Sequence, residues 1–166
     1  MSTLLVSDTS VLVDLDRGGL LEALFRLPYS VGVPDVLFEQ ELKGRGGEPL
    51  LALGLLVLEL DPGGVALAQD YAARSRRISV PDAFALSLAK IGGHTLLTGD
   101  RELRSLAEGE HLVCHGLLWV LDQLETAALL EPALLLNGLE RISASHRARL
   151  PADEVRVRLE RYRRHA

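Results

Sequence analysis

Short runs of aliphatic residues alternate along this chain with longer stretches in which hydrophobic residues recur every three or four positions. Short continuous apolar runs are typical of buried strands, whereas the longer period is typical of helices that pack on one face. The pattern predicts five strands, at residues 4–6, 29–33, 57–60, 95–97 and 112–114. It predicts helices at residues 12–25 (with a break at Gly18-Gly19), 34–42, 50–56, 65–77, 79–91, 100–106, 116–128, 132–146 and 152–164.

The alternation of strands and helices predicts the fold class. Such an order indicates parallel strands joined by right-handed crossovers. We therefore expect an α/β fold, a doubly wound parallel sheet sandwich with a helical C-terminal extension. A chain of 166 residues suits one domain with one core. We assign residues 1–115 to the α/β body and residues 116–166 to a helical extension packed on the same domain.

Composition narrows the class of protein. Hydrophobic residues make up 48% of the chain and charged residues 25%, which excludes a disordered protein. The single cysteine, Cys114, excludes an internal disulfide framework and is typical of a reducing compartment. The longest leucine-rich stretch, residues 50–58, has about half of the roughly 20 residues that a membrane span needs. We therefore expect a cytoplasmic protein with no membrane partner and no targeting segment.

Four acidic residues occupy the predicted edge of the sheet at which parallel sheets bind ligands. Asp8 ends the first strand, Asp100 lies just beyond the fourth, Glu41 lies in the helix after the second, and Asp82 begins a later helix. Each acid also has an ordinary structural explanation. Asp8, Asp82 and Asp100 could cap the helices that follow them, and Glu41 could be a surface charge. Their occurrence at one edge nevertheless predicts that the four converge on one cleft.

The helix after the second strand offers two acids. At about 100° per residue, Glu41 falls inside the apolar arc defined by Leu37, Phe38 and Leu42, whereas Glu39 falls outside it. A carboxylate on an inward face needs a partner, because a buried unpaired charge is expensive. We prefer Glu41 over Glu39 as the second acid, and the choice between them stays open at this level.

Carboxylates held close together raise one another's pKa, and a bound cation removes that penalty. Mg²⁺ and Mn²⁺ prefer such oxygen ligands and can activate a water for attack on a phosphodiester. His111, Cys114 and His115 do not suggest zinc instead, because one strand cannot aim all three at one ion.

Four short motifs, in this order and spacing, resemble those of a known family. They are Ser-Asp-Thr-Ser at 7–10, Phe-Glu-Gln-Glu-Leu at 38–42, Val-Pro-Asp-Ala-Phe-Ala-Leu at 80–86 and Leu-Thr-Gly-Asp at 97–100. Together they resemble the PIN domain over about residues 3–115, and most closely VapC-type toxins and related prokaryotic PIN proteins. The resemblance implies a parallel sheet and a Mg²⁺- or Mn²⁺-dependent ribonuclease site. Carried over by position, its catalytic and metal-binding residues are Asp8, Glu41, Asp82 and Asp100, assisted by Thr98 or Thr9.

The resemblance therefore predicts a metal-dependent endoribonuclease, the toxin of a type II toxin–antitoxin pair. Its implied partners are an RNA substrate and an antitoxin protein, and we expect a homodimer. The alternative is a non-catalytic module that keeps the fold for protein association. The leucine-rich helices beyond residue 116, which the resemblance does not cover, keep that alternative open.

The net charge of −5 hides two opposite regions. Residues 1–140 hold 20 acidic and 10 basic residues, whereas residues 141–166 hold 8 arginines and 3 acids. In the basic segment, Val155, Leu159 and Tyr162 recur at helical spacing and predict a docked helix. Its arginines are either solvated surface charges or a patch for RNA phosphates or an acidic partner.

Overall fold

The computed structural model describes residues 3–166 and contains a five-stranded parallel sheet with the strand order β3-β2-β1-β4-β5. The strands are β1 (Thr3–Ser7), β2 (Tyr29–Pro34), β3 (Leu56–Leu58), β4 (Thr95–Leu97) and β5 (Cys114–His115). Leu5 of the central strand pairs with Val31 of β2 and with Thr95 of β4. The predicted doubly wound parallel sheet is confirmed.

Helices flank this sheet and fill the connections between its strands. They are α1 (Thr9–Arg17), α2 (Leu21–Leu24), α3 (Asp35–Leu37), α4 (Glu48–Leu53), α5 (Pro62–Arg74), α6 (Val80–Gly92), α7 (Arg101–Gly109), α8 (Leu117–Thr126), α9 (Pro132–Ser143) and α10 (Ala152–His165). Helix α3 continues into one π-helical turn, Phe38–Leu42, in which the Lys43 N–H donates to the Phe38 carbonyl at 2.8 Å. No helix within residues 3–166 combines the length and the apolar character that a membrane crossing requires.

Several element boundaries differ from the predicted ones, and helix capping accounts for the differences at α4 and α5. The helix predicted at 65–77 begins three residues earlier, at Pro62, because the Asp61 carboxylate accepts the Gly64 N–H and caps α5. Helix α4 ends at Leu53 rather than at residue 56, because Gly54 takes a left-handed conformation with φ of 114°. The third and fifth strands, predicted at 57–60 and 112–114, lie at 56–58 and 114–115.

The core is aliphatic and includes the C-terminal helices. Leu5 and Leu96 of the sheet are buried together with Leu86 of α6 and Leu121 of α8. Helix α9 reaches α1 through a close approach of two glycines, since a Cβ on Gly138 would lie 2.9 Å from the Gly18 carbonyl oxygen. Residues 116–166 thus share one hydrophobic core with the sheet.

The strand order reverses between β1 and β4, since β1 leads to β2 on one side and the later strands return on the other. In open α/β sheets this reversal opens a crevice at the carboxyl ends of the strands, where ligands bind. Asp8 follows β1 and Asp100 follows β4, so both lie beside the crevice.

Candidate active site

Asp8 is the most buried acid of this crevice, with 2% of its surface exposed. As the N-cap of α1, it accepts the Val11 N–H through Oδ1 at 2.9 Å, while Oδ2 accepts the hydroxyl of Thr98. Burial raises the pKa of Asp8 to about 6, the charge of Asp82 adds to the rise, and the bonds from Thr98 and Val11 counteract it. Within residues 3–166, the donors that hold this carboxylate are neutral.

Thr98 joins Asp8 to Asp100. Its hydroxyl is buried and donates to Asp8, and the same oxygen accepts the Asp100 N–H at 3.0 Å. Asp100 in turn caps α7 by accepting the Leu103 N–H at 2.9 Å. Asp8 and Asp100 therefore both cap helices and lie beside the crevice. The two roles are compatible because a helix N-terminus that follows a strand points its cap toward the crevice.

Asp82 forms a capping box with Ser79 at the start of α6. The Ser79 N–H donates to Asp82 Oδ2 at 3.3 Å, and the Asp82 N–H donates to Ser79 Oγ at 3.1 Å. Partial burial raises the pKa of Asp82, the bonds from Ser79 lower it, and the charge of Asp100 raises it further. The mutual repulsion expected of a carboxylate cluster is thus present.

Glu41 enters the crevice from the π-helical turn. Its Oε1 is buried without a hydrogen-bond partner, and so is the nearby Thr9 Oγ1. Burial raises the pKa of Glu41 and the charge of Asp82 adds to this, while the charge of Arg45 and the Thr9 hydroxyl, which lies near the carboxyl but outside hydrogen-bond geometry, counteract it. Glu39 lies outside: its carboxylate is exposed and accepts a bond from Lys43 Nζ at 3.2 Å.

All four acids line one cleft of about 390 Å³. The other residues that line it are Thr9, Ser10, Val13, Asp14, Arg17, Ser79 and Arg147. The structure therefore brings together the four residues predicted from sequence, with Thr9 beside them, while the buried Thr98 bonds to Asp8 without lining the cleft.

Sequence reasoning did not place the two arginines of the cleft at the site, although Arg147 belongs to the basic segment for which an RNA-phosphate patch was one alternative. Arg17 lies nine residues after Asp8 on the same helix, and its guanidinium donates to Asp14 Oδ1 at 2.7 Å. The i, i+3 spacing of that pair was visible in the sequence. Arg147 lies between α9 and α10, and tertiary packing brings it to the cleft. No local sequence pattern predicts that position.

The donor set fits a hard divalent cation. It consists of carboxylate and hydroxyl oxygens, which Mg²⁺ and Mn²⁺ prefer, and it contains an unpartnered buried oxygen, Glu41 Oε1. Within residues 3–166, no three His, Cys, Asp or Glu side chains are already arranged closely enough to hold a metal ion.

Comparison with known proteins gives one result. A family model described as a PIN domain matches residues 4–163, which includes α8, α9 and most of α10. No curated protein matches the chain. PIN domains are usually nucleases, and those nucleases generally use divalent metals. With the parallel sheet, the acidic crevice and a match over nearly its whole length, the chain belongs to the PIN domain family.

Proposed function

We propose that this protein is a divalent-metal-dependent endoribonuclease that hydrolyses RNA phosphodiester bonds. The observation that carries the proposal is the single cleft lined by Asp8, Glu41, Asp82 and Asp100. Three of these carboxyls have raised pKa values because they are desolvated and repel one another. Groups perturbed in this way and gathered in a cleft are typical of a functional site.

The four carboxylates would hold Mg²⁺ or Mn²⁺. When bound, the ion activates a water and stabilises the charge that develops on the phosphodiester. The chain itself orients the ligands: Thr98 fixes Asp8 Oδ2, and the capping box fixes Asp82. Glu41 has no such bond on Oε1, so this oxygen is available to a ligand.

The test is cleavage of a labelled single-stranded RNA by the purified full-length chain in Mg²⁺ or Mn²⁺. We expect cleavage by the wild type and a loss of at least about 100-fold in Asp8→Asn, because a metal ligand contributes several kcal/mol to the transition state. Asparagine keeps the oxygen that caps α1, so the fold should survive. Asp122→Asn is the matched control, since Asp122 lies on α8 and bonds to Arg158.

Equal residual cleavage by wild type and Asp8→Asn would contradict the proposal. A non-catalytic binding module is distinguished by titration with Mn²⁺ alone, followed by electron paramagnetic resonance. The nuclease should bind Mn²⁺ in a manner that depends on Asp8 and Asp82. Absence of acid-dependent binding would favour the module.

The toxin role rests on the resemblance to VapC-type proteins. Induced expression in a bacterial host should then arrest growth, and Asp8→Asn should not. The antitoxin partner and the homodimer belong to the same proposal. Light scattering of the purified chain tests the dimer, and normal growth during expression of an active nuclease would contradict the toxin role.

A further inference from the structure

Among the described residues, four of the eight arginines of the basic C-terminal segment, Arg156, Arg158, Arg161 and Arg163, are paired with carboxylates of the C-terminal helices. Arg158 donates to both oxygens of Asp122, at 2.8 and 2.7 Å, and Arg161 donates to Glu125 at 2.7 Å. Arg163 lies 3.4 Å from the Glu140 carboxylate. These pairs tie α10 to α8 and α9, so their charges serve the packing of the segment.

Arg147 differs from these arginines in both place and partner. It lies in the connection between α9 and α10, and it lines the cleft that holds the four acids. Within the part of the chain that the structure describes, no carboxylate lies within 4.0 Å of its guanidinium. The other arginine of the cleft, Arg17, is committed to Asp14.

The connection that carries Arg147 is held on both sides. Before it, α9 packs on α1 at the Gly18–Gly138 approach, and Ile142 is fully buried. After it, α10 is fixed by the buried Tyr162 and the arginine pairs. Within it, the Arg147 N–H donates to Ser145 Oγ at 3.3 Å, and the Ala148 N–H donates to the Ser145 carbonyl at 3.2 Å. The position of Arg147 at the cleft is therefore a product of the fold.

We propose that Arg147 is a substrate-positioning residue that binds a backbone phosphate of the RNA as the strand enters the cleft. This inference rests on the proposed nuclease function. A cleft lined by carboxylates repels a polyanion, and the positive charge of Arg147, which lines the cleft and has no carboxylate partner among the described residues, offsets that repulsion locally. Guanidinium groups bind phosphate through two parallel hydrogen bonds, which fixes orientation as well as charge.

The experiment measures binding of a fluorescent single-stranded RNA to the full-length chain by anisotropy, in EDTA, over a range of salt concentrations. Arg147→Ala should weaken binding about tenfold, as expected for a charged hydrogen bond. It should also reduce the slope of log K against log salt by about 0.7, the value for one phosphate contact on a single strand. Arg147→Lys should keep the slope and recover part of the affinity.

Arg149→Ala is the matched control, because Arg149 is an exposed arginine of the same connection that does not line the cleft. It should leave affinity and slope near the wild-type values. In Mn²⁺, Arg147→Ala should raise KM for RNA cleavage more than it lowers kcat. A merely structural role would not change the salt slope.

Wild-type affinity and slope in Arg147→Ala would overturn the inference, and so would an equal loss in Arg149→Ala. Both results leave the nuclease proposal intact if the wild type still cleaves RNA in Mn²⁺. A wild-type chain that neither binds nor cleaves the RNA would overturn both proposals together.

Discussion

The cleft and the C-terminal helices use acidic residues in opposite ways. On α8, Asp122 and Glu125 accept bonds from Arg158 and Arg161, so each carboxylate faces a guanidinium. In the cleft, Asp8 accepts bonds only from neutral groups, and one oxygen of Glu41 has no partner. The same residue type is thus neutralised by a neighbour in one region and left desolvated in the other.

This difference separates what stabilises the fold from what serves the site. Paired charges on the C-terminal helices need nothing from outside the chain. The cleft acids disfavour their own ionisation, because burial and mutual repulsion raise the pKa of Asp8, Glu41 and Asp82. These acids therefore lower the stability of the metal-free fold, and an external cation would relieve that cost.

The largest expected effect is on the pH dependence of stability without metal. The folded-state pKa of Asp8 is about 6, above its ordinary value of 3.8, so between these values the folded chain keeps a proton that the unfolded chain releases. The free energy of unfolding therefore falls as pH rises through this window, by up to about 3 kcal/mol from Asp8. Urea unfolding in EDTA at pH 4 to 7 measures the fall, which should be smaller in Asp8→Asn.

In contrast to Asp8, the paired Asp122 of the C-terminal helices is expected to stabilise the fold at pH 7. Asp122→Asn should lower the free energy of unfolding at pH 7 by about 1 kcal/mol, because it weakens the bonds to the half-buried Arg158. If the free energy of unfolding depends on pH identically in wild type and Asp8→Asn, the claim that the cleft acids destabilise the metal-free fold, unlike the paired acids, is wrong.

The next largest effect is on the stability of the contact between α9 and α1, where Gly138 approaches Gly18. Gly138→Ala should lower the free energy of unfolding by about 1–2 kcal/mol, because the new Cβ would lie 2.8 Å from Leu20 Cδ1 and 2.9 Å from the Gly18 carbonyl oxygen. Gly109→Ala, where a Cβ meets nothing within 4 Å, is the control and should be neutral or slightly stabilising. Thermal unfolding measures both. An equal response would mean that α9 does not pack tightly on α1.

The strands and the caps were predictable because they depend on local signals. The aliphatic run at residues 4–6 is bounded by polar residues, and a carboxylate after a strand is a favourable helix cap whatever its further role. For this reason sequence placed Asp8, Asp82 and Asp100 at the correct edge of the sheet. The ends of β3 and β5 were less predictable, because these short edge strands lie partly exposed and carry a weak hydrophobic pattern.

Two features of the site depend on structure that has no local signature. The phase argument for Glu41 assumed 100° per residue, but residues 38–42 form a π turn with more residues per turn. Its preference for Glu41 agrees with the observed cleft lining, although the angles on which it was based do not apply. Arg147 depends on the packing of α9 and α10, which no spacing within one element encodes.

The smallest expected effect comes from Glu39, two residues before Glu41 in the same turn. Glu39→Gln should leave kcat/KM for RNA cleavage within about twofold of wild type, because its carboxylate is 59% exposed and pairs only with the exposed Lys43. Glu41→Gln should lower it by at least about tenfold, because the desolvated oxygen that would bind the ion is lost. Single-turnover cleavage measures both variants side by side. A large loss in Glu39→Gln with none in Glu41→Gln would assign the metal to the exposed acid, and burial would then be the wrong guide to this site.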